Sequence, residues 1–129
     1  MKLTKVITSA QLLALYTTPI TVIPAPGAGL TNVLKSIKFS LEAGTAYDGI
    51  AAGENIAISY TNASGQLLMT VETDGFLTLA AGAKTINLPV TNPLLLTSNA
   101  AIVIHMLVGN VATGTGDLTL ECEYDIVVL

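Results

Sequence analysis

Leu118, Leu120, Cys122, Tyr124, Ile126 and Val128 take every second position at the end of the chain, with Thr119, Glu121, Glu123 and Asp125 between them. Successive side chains point to opposite sides only in an extended strand, so this alternation prescribes a β-strand with one apolar and one wetted face. The same period sets Ile37, Phe39 and Leu41 against Ser36, Lys38, Ser40 and Glu42, and Ile56, Ile58 and Tyr60 against Asn55, Ala57, Ser59 and Thr61. Asn62-Ala63-Ser64-Gly65 supplies a turn into Gln66–Glu72. Thr73-Asp74-Gly75 contains the Asp-Gly pair of tight hairpins and predicts a further strand over Phe76–Ala80. Ile86, Leu88 and Val90 mark another, which Pro89 confines to a sheet edge. Ala101–Val108 reads as a nearly continuous apolar strand buried on both faces, followed by a loop of small residues over Gly109–Asp117. Short strands separated by Gly, Pro, Asn and Asp predict an all-β fold, an antiparallel β-sandwich or jelly roll.

The beginning of the chain differs. Thr8-Ser9-Ala10-Gln11 fits a capping box, in which hydroxyl and side-chain amide satisfy each other's exposed backbone N–H groups, so a short helix is expected there. Ile7 and Leu12 stand at staple positions, Leu12, Leu13, Leu15 and Tyr16 give the helix an apolar side, and Thr17-Thr18-Pro19 stops it. Ile20–Ile23 is a short extended run, and Pro24-Ala25-Pro26-Gly27-Ala28-Gly29 forces a turn or an extended arm. The expected organisation is therefore an N-terminal helix and Pro/Gly-rich arm over residues 1–30 and a β-sandwich over 31–129, one compact domain overall at a length of 129 residues.

Hydrophobic residues make up 51% of the chain and charged ones 11%, well under the usual quarter or so. That composition excludes disorder and raises the question of a membrane. A spanning helix needs about 20 consecutive apolar residues; the greasiest run, Ala100–Gly109, is half that and is interrupted by His105. A membrane barrel wants aromatic girdles, whereas Trp is 0 and aromatics are 5%. Lys2 and Lys5 imitate the start of a secretory signal, but polar residues break the segment behind them and no secretory signal is expected. The net charge of -4, with no Arg and with Lys2, Lys5, Lys35, Lys38 and Lys84 scattered, argues against a nucleic-acid partner. A single cysteine implies no internal disulfide.

Few residues of the chain suggest chemistry. His105 lies between Ile104 and Met106 and reads as a satisfied interior histidine rather than a catalytic one. Cys122 takes an inward position and reads as a small buried hydrophobe. Glu121, Glu123 and Asp125 read as the wetted face of their strand. Their spacing of roughly 7 Å would also suit an inverting acid pair or a shared calcium. Gly27-Ala28-Gly29 and Gly114-Thr115-Gly116 lack the context of a phosphate loop and read as turns, and the Asn62-Ala63-Ser64 sequon is discounted without a secretory signal. No catalytic, cofactor or metal residues are assigned, and no enzyme is expected.

VITSAQLLALYTTPITVIPAPGAG (residues 6–29), followed by AGTAYDG and NIAISYTN, resembles small proteins encoded among the structural genes of tailed bacteriophages. The resemblance covers about the first half of the chain. It implies a virion component made in the host cytoplasm and carried on the capsid exterior. The specific expectation is a capsid decoration (cement) protein, a homotrimer that binds the major capsid protein and stabilises the assembled shell. Leu12, Leu13, Leu15 and Tyr16 are the candidate capsid or intersubunit contacts, the alternative being that their helix only caps one open end of the sandwich. A carbohydrate- or receptor-binding β-sandwich of a fibre or tail appendage is the alternative. Sugar platforms favour exposed Trp and Tyr, and this chain has no Trp and 4 Tyr, of which Tyr60 and Tyr124 fall on inward positions. The charge deficit itself points to assembly, because apolar patches beyond a few hundred Å² seldom stay exposed.

Overall fold

A computed structural model describes residues 1–50, 52–73, 76–78, 84–89 and 96–129, the segment 84–89 by its backbone. The strands are β1 (Lys2–Ile7), β2 (Ile20–Ile23), β3 (Leu30–Leu41), β4 (Asn55–Tyr60), β5 (Leu67–Glu72), β6 (Lys84–Pro89), β7 (Ile102–Met106) and β8 (Leu118–Val128). They form two four-stranded sheets, in the orders β1-β8-β3-β6 and β2-β7-β4-β5. Every pairing is antiparallel.

The pairings are nested. β1 lies beside β8, β2 beside β7, β3 beside β6 and β4 beside β5. The contacts of β8 with β3 and of β7 with β4 join these pairs into sheets. Apart from the β4–β5 hairpin, each link between consecutive strands carries the chain from one sheet to the other. The core fills the space between, with Ile37, Phe39, Leu120 and Cys122 from the first sheet and Ile56, Ile58, Tyr60, Ile102 and Ile104 from the second. The alternation in β8 holds from Leu118 to Tyr124, with Leu118, Leu120, Cys122 and Tyr124 buried and Glu121 and Glu123 exposed, whereas Ile126 and Val128, expected on the same apolar face, are exposed. β7 is buried along its whole length.

The front of the chain departs from expectation. A strand, β1, precedes the helical turn α1 (Ser9–Leu13), so residues 1–30 supply β1 to one sheet and β2 to the other rather than an arm outside them. Lys5 concealed this strand. It lies opposite Leu120, on the core side of the sheet, while Val6 points outward and stays exposed, so the polar–apolar alternation is broken. A lysine directed inward on an edge strand hinders pairing with another chain. The capping box of α1 forms in both directions, Thr8 N–H to Gln11 Oε1 at 3.0 Å and Gln11 N–H to Thr8 Oγ1 at 3.3 Å. The helix ends at Leu13, short of the Tyr16 expected, and a turn follows.

The strand expected over Phe76–Ala80 is also corrected where the chain is described. The N–H groups of Phe76 and Leu77 converge on the Thr73 carbonyl, at 3.1 and 2.8 Å, and residues 76–78 form a turn. Its cause is packing, because both side chains drop into the core and the Phe76 ring meets Phe39 edge-on at 6.5 Å. Asp74, Gly75, Ala80 and Val90 lie outside the described residues. Pro89 closes β6 at a sheet edge, opposite Ser36, a position where a residue without an N–H is tolerated.

Candidate functional site

β1, β3, β5 and β7 end where β2, β4, β6 and β8 begin, so the described residues of the links between them, 8–19, 42–50, 52–54, 73, 76–78 and 107–117, gather at one end of the sandwich. The last of these links is bonded to the first two. Ser9 N–H donates to Asp117 Oδ1 at 2.9 Å, Asp48 N–H to the Thr113 carbonyl at 2.9 Å, and the Tyr47 hydroxyl to the Gly116 carbonyl at 2.6 Å. Burial pushes the Tyr47 phenol up to about 12, with Asp117 adding to the effect. Tyr47 N–H donates to Leu77 O at 2.9 Å and so ties in the turn after β5. Glycine is required at Gly114, where φ is +147° and a Cβ would come within 2.3 Å of the Tyr47 ring.

Glu54 is the central fastener. The residue is 4% exposed, and among the described residues it pairs with no lysine. Oε1 accepts from the N–H groups of Asn55 at 3.0 Å, Leu107 at 2.8 Å and Val108 at 3.0 Å, and Oε2 accepts from Val108 at 3.0 Å and Gly109 at 2.6 Å. Three successive N–H groups after β7 thus form a nest for an anion that the chain itself supplies. Beside it, Asn110 Oδ1 accepts from Tyr16 N–H at 2.9 Å and Thr17 N–H at 3.3 Å. These two clasps hold an apolar corner in which Tyr16 is 45%, Leu107 41% and Val108 47% exposed. Between the links 42–54 and 73–83 lies a cleft of about 470 Å³, lined by Tyr47, Asp48, Ile50, Glu72 and Thr73 among others.

Charge is divided unevenly. Glu42, Asp48, Glu54, Glu72 and Asp117 stand at this loop end, and among the described residues none of them enters an ion pair. The ion pairs lie on the β1-β8-β3-β6 sheet instead: Lys35 with Asp125 at 2.8 Å, Lys38 with Glu121 at 3.7 Å, and the N-terminus with Asp125 at 3.8 Å. The hydrogen bond to Lys35 lowers the Asp125 carboxyl, and the same contact raises the Lys35 ammonium.

The contact residues expected from sequence are split. Leu12 and Leu15 are fully buried in this chain's own core, which leaves Tyr16 exposed and Leu13 half-buried. Burying each aliphatic side chain contributes about 1.5–3 kcal/mol, so helix packing against the sandwich wins over presentation of those leucines. Glu121 and Glu123 share the outer face of their strand, but no group of three or more metal-ligating side chains forms among the described residues. Cys122 is buried, which pushes its thiol up to about 11.

His105 does have a polar partner that sequence alone concealed. Ser59 Oγ lies 2.8 Å from His105 Nε2 on adjacent strands, and His105 Nδ1 lies 3.2 Å from the Met106 carbonyl. A carbonyl accepts only, so Nδ1 carries the proton and the Ser59 hydroxyl donates to Nε2. The ring is oriented by a carbonyl and not by a carboxylate, and both residues are buried, which is the arrangement of a satisfied interior pair. No protein-family model matches this chain, and no curated protein matches it.

Proposed function

We propose that this protein is a jelly-roll structural component of a virus particle, a capsid decoration (cement) protein that binds and stabilises the assembled shell as a homotrimer. The observation that carries the reading is the nested strand order, 1-8-3-6 facing 2-7-4-5. Eight antiparallel strands in two sheets, arranged as a long hairpin folded over itself, agree with a jelly roll, an architecture common to capsid and lectin domains. The resemblance of residues 6–29 to small structural proteins of tailed bacteriophages gives the viral choice its direction. A cement protein acts by mass action, since it binds the assembled shell and not its dissociated parts, and needs a rigid body with a contact surface in place of a reaction centre. The tightly fastened loop end meets that need.

The cleft at the loop end favours a second reading, a carbohydrate- or receptor-binding sandwich of a fibre or tail appendage. Against it, the one tyrosine lining the cleft, Tyr47, is buried and spends its hydroxyl on Gly116, so it offers no stacking platform. Light scattering of the purified chain, joined to electron microscopy of the parent particle, tests the proposal. A trimer in solution and added density on the capsid exterior are expected. A stable monomer with no particle association overturns it.

A further inference from the structure

We propose that the loop end is the docking surface of the protein, and that its partner presents lysine or arginine side chains around an apolar contact. The inference deepens the shell-binding reading and rests on it for the source of the partner. At the centre stand Tyr16, Leu107 and Val108, exposed apolar side chains on backbone already fixed by the Glu54 and Asn110 clasps. Contacts offered from preordered backbone lose little freedom when covered, which makes them efficient anchors. At the same end stand carboxylates with no cation partner among the described residues, Asp48 and Glu72 being exposed. Acidic side chains at the same end as an apolar contact complement basic side chains on a partner, and such charges set approach rate and orientation.

Charge complementarity also decides against a second copy as the occupant. Among the described residues, Lys2, Lys35 and Lys38 of a second copy lie on β1 and β3 beside Glu121, Glu123 and Asp125, on a face that mixes both signs, and Lys5 is turned to the core side of its strand. The cations that would match the loop end therefore come from a different chain.

The test has two arms, both on the intact chain. In the first, isotope-labelled protein is titrated with oligolysine and followed by NMR. Shifts confined to residues 42–54, 72 and 107–117, and lost in the double variant Asp48→Lys, Glu72→Lys, are expected. Absent shifts, or shifts centred on the sheet face, overturn the inference. In the second, the protein is co-sedimented with shells of the parent particle that lack it. Val108→Ser and Glu72→Lys, both at exposed side chains, each weaken binding about tenfold, the loss typical of a truncated anchor. Lys38→Ser, on the sheet face, leaves binding unchanged, and added salt weakens it. Binding to shells that ignores salt and both loop-end variants sinks the docking surface while sparing the shell reading. Failure to bind shells, with oligolysine still mapping to the loop end, sinks the shell reading and spares the surface. The thermal transition of each variant verifies its fold.

Discussion

The loop end and the outer face of the β1-β8-β3-β6 sheet both carry carboxylates, yet they satisfy them by opposite means. On the sheet, Glu121 and Asp125 meet lysine side chains. At the loop end, Glu42, Asp48, Glu54 and Asp117 all accept from backbone N–H groups. Exposed ion pairs involve two flexible side chains, are screened by salt, and contribute little. A carboxylate bonded to main-chain N–H groups constrains the backbone itself. With five basic residues against nine acidic ones, a chain of this composition has few cations to distribute. Its loops are ordered by acids that act as hydrogen-bond acceptors, and the same choice leaves one end of the molecule negative.

Four substitutions or conditions would break or sharpen this contrast. Glu54→Ala strips the acceptors from Leu107, Val108 and Gly109 together, and a loss of about 3 kcal/mol or more is expected in chemical denaturation, because buried donors are left unsatisfied. A cost near that of a surface mutation would show that the fastener is dispensable. Gly114→Ala forces a side chain into a left-handed backbone position against the Tyr47 ring, with an expected cost of about 2 kcal/mol. Thermal unfolding of that variant against Gly53→Ala, a left-handed position with open space around it, separates the clash from the backbone strain.

Alkaline pH reaches the two regions in sequence. Burial raises the Cys122 thiol, on the sheet, from 9.0 to about 11, and the Tyr47 phenol, at the loop end, from 10.0 to about 12. A folded state that keeps a proton the unfolded chain releases is at full stability below the unfolded value and loses stability as pH rises above it. The sheet is therefore weakened first, from about pH 9, by a total of about 2 kcal/mol as pH approaches 11. Urea midpoints measured across this range should fall, and Cys122→Ala should remove the first part of the fall while Tyr47→Phe removes the later part. The smallest effect is expected for Lys38→Ala, whose exposed partner is Glu121, at about 0.5 kcal/mol or less and sensitive to salt. A larger, salt-insensitive loss would erase the distinction between face and loop end.

What could be read in the sequence follows from where its periodicity is undisturbed. β3, β4, β5, β7 and β8 announce themselves through alternation or a continuous apolar run, and Pro89 places β6 at an edge. β1 does not, because Lys5 occupies a core-side position and Val6 an outer one. The segment after Asp74-Gly75 reads as a strand, but Phe76 and Leu77 have the apolar character of core residues as much as of strand residues, and the core claimed them. The loop end was the least legible part. Glu54 lies 53 to 55 residues from three of the donors it binds, and backbone N–H groups leave no trace in side-chain identity. Leu107 and Val108 read as the end of a buried strand, yet β7 stops at Met106 and both become exposed. Tyr16 is the residue for which the sequence expectation and the exposed corner coincide.

The nesting of the strands also governs the order in which the chain can become a protein. Met1 bonds Tyr124 across 123 residues of separation, and β8 stands between β1 and β3 at the heart of its sheet. A ribosome must deliver residues 118–128 before the first sheet can be continuous, so β1 and β3 lack their common neighbour until then. Pairings of such long range form slowly and leave intermediates prone to aggregation. Lys5, turned inward on β1, hinders pairing of that open edge with other chains during the wait.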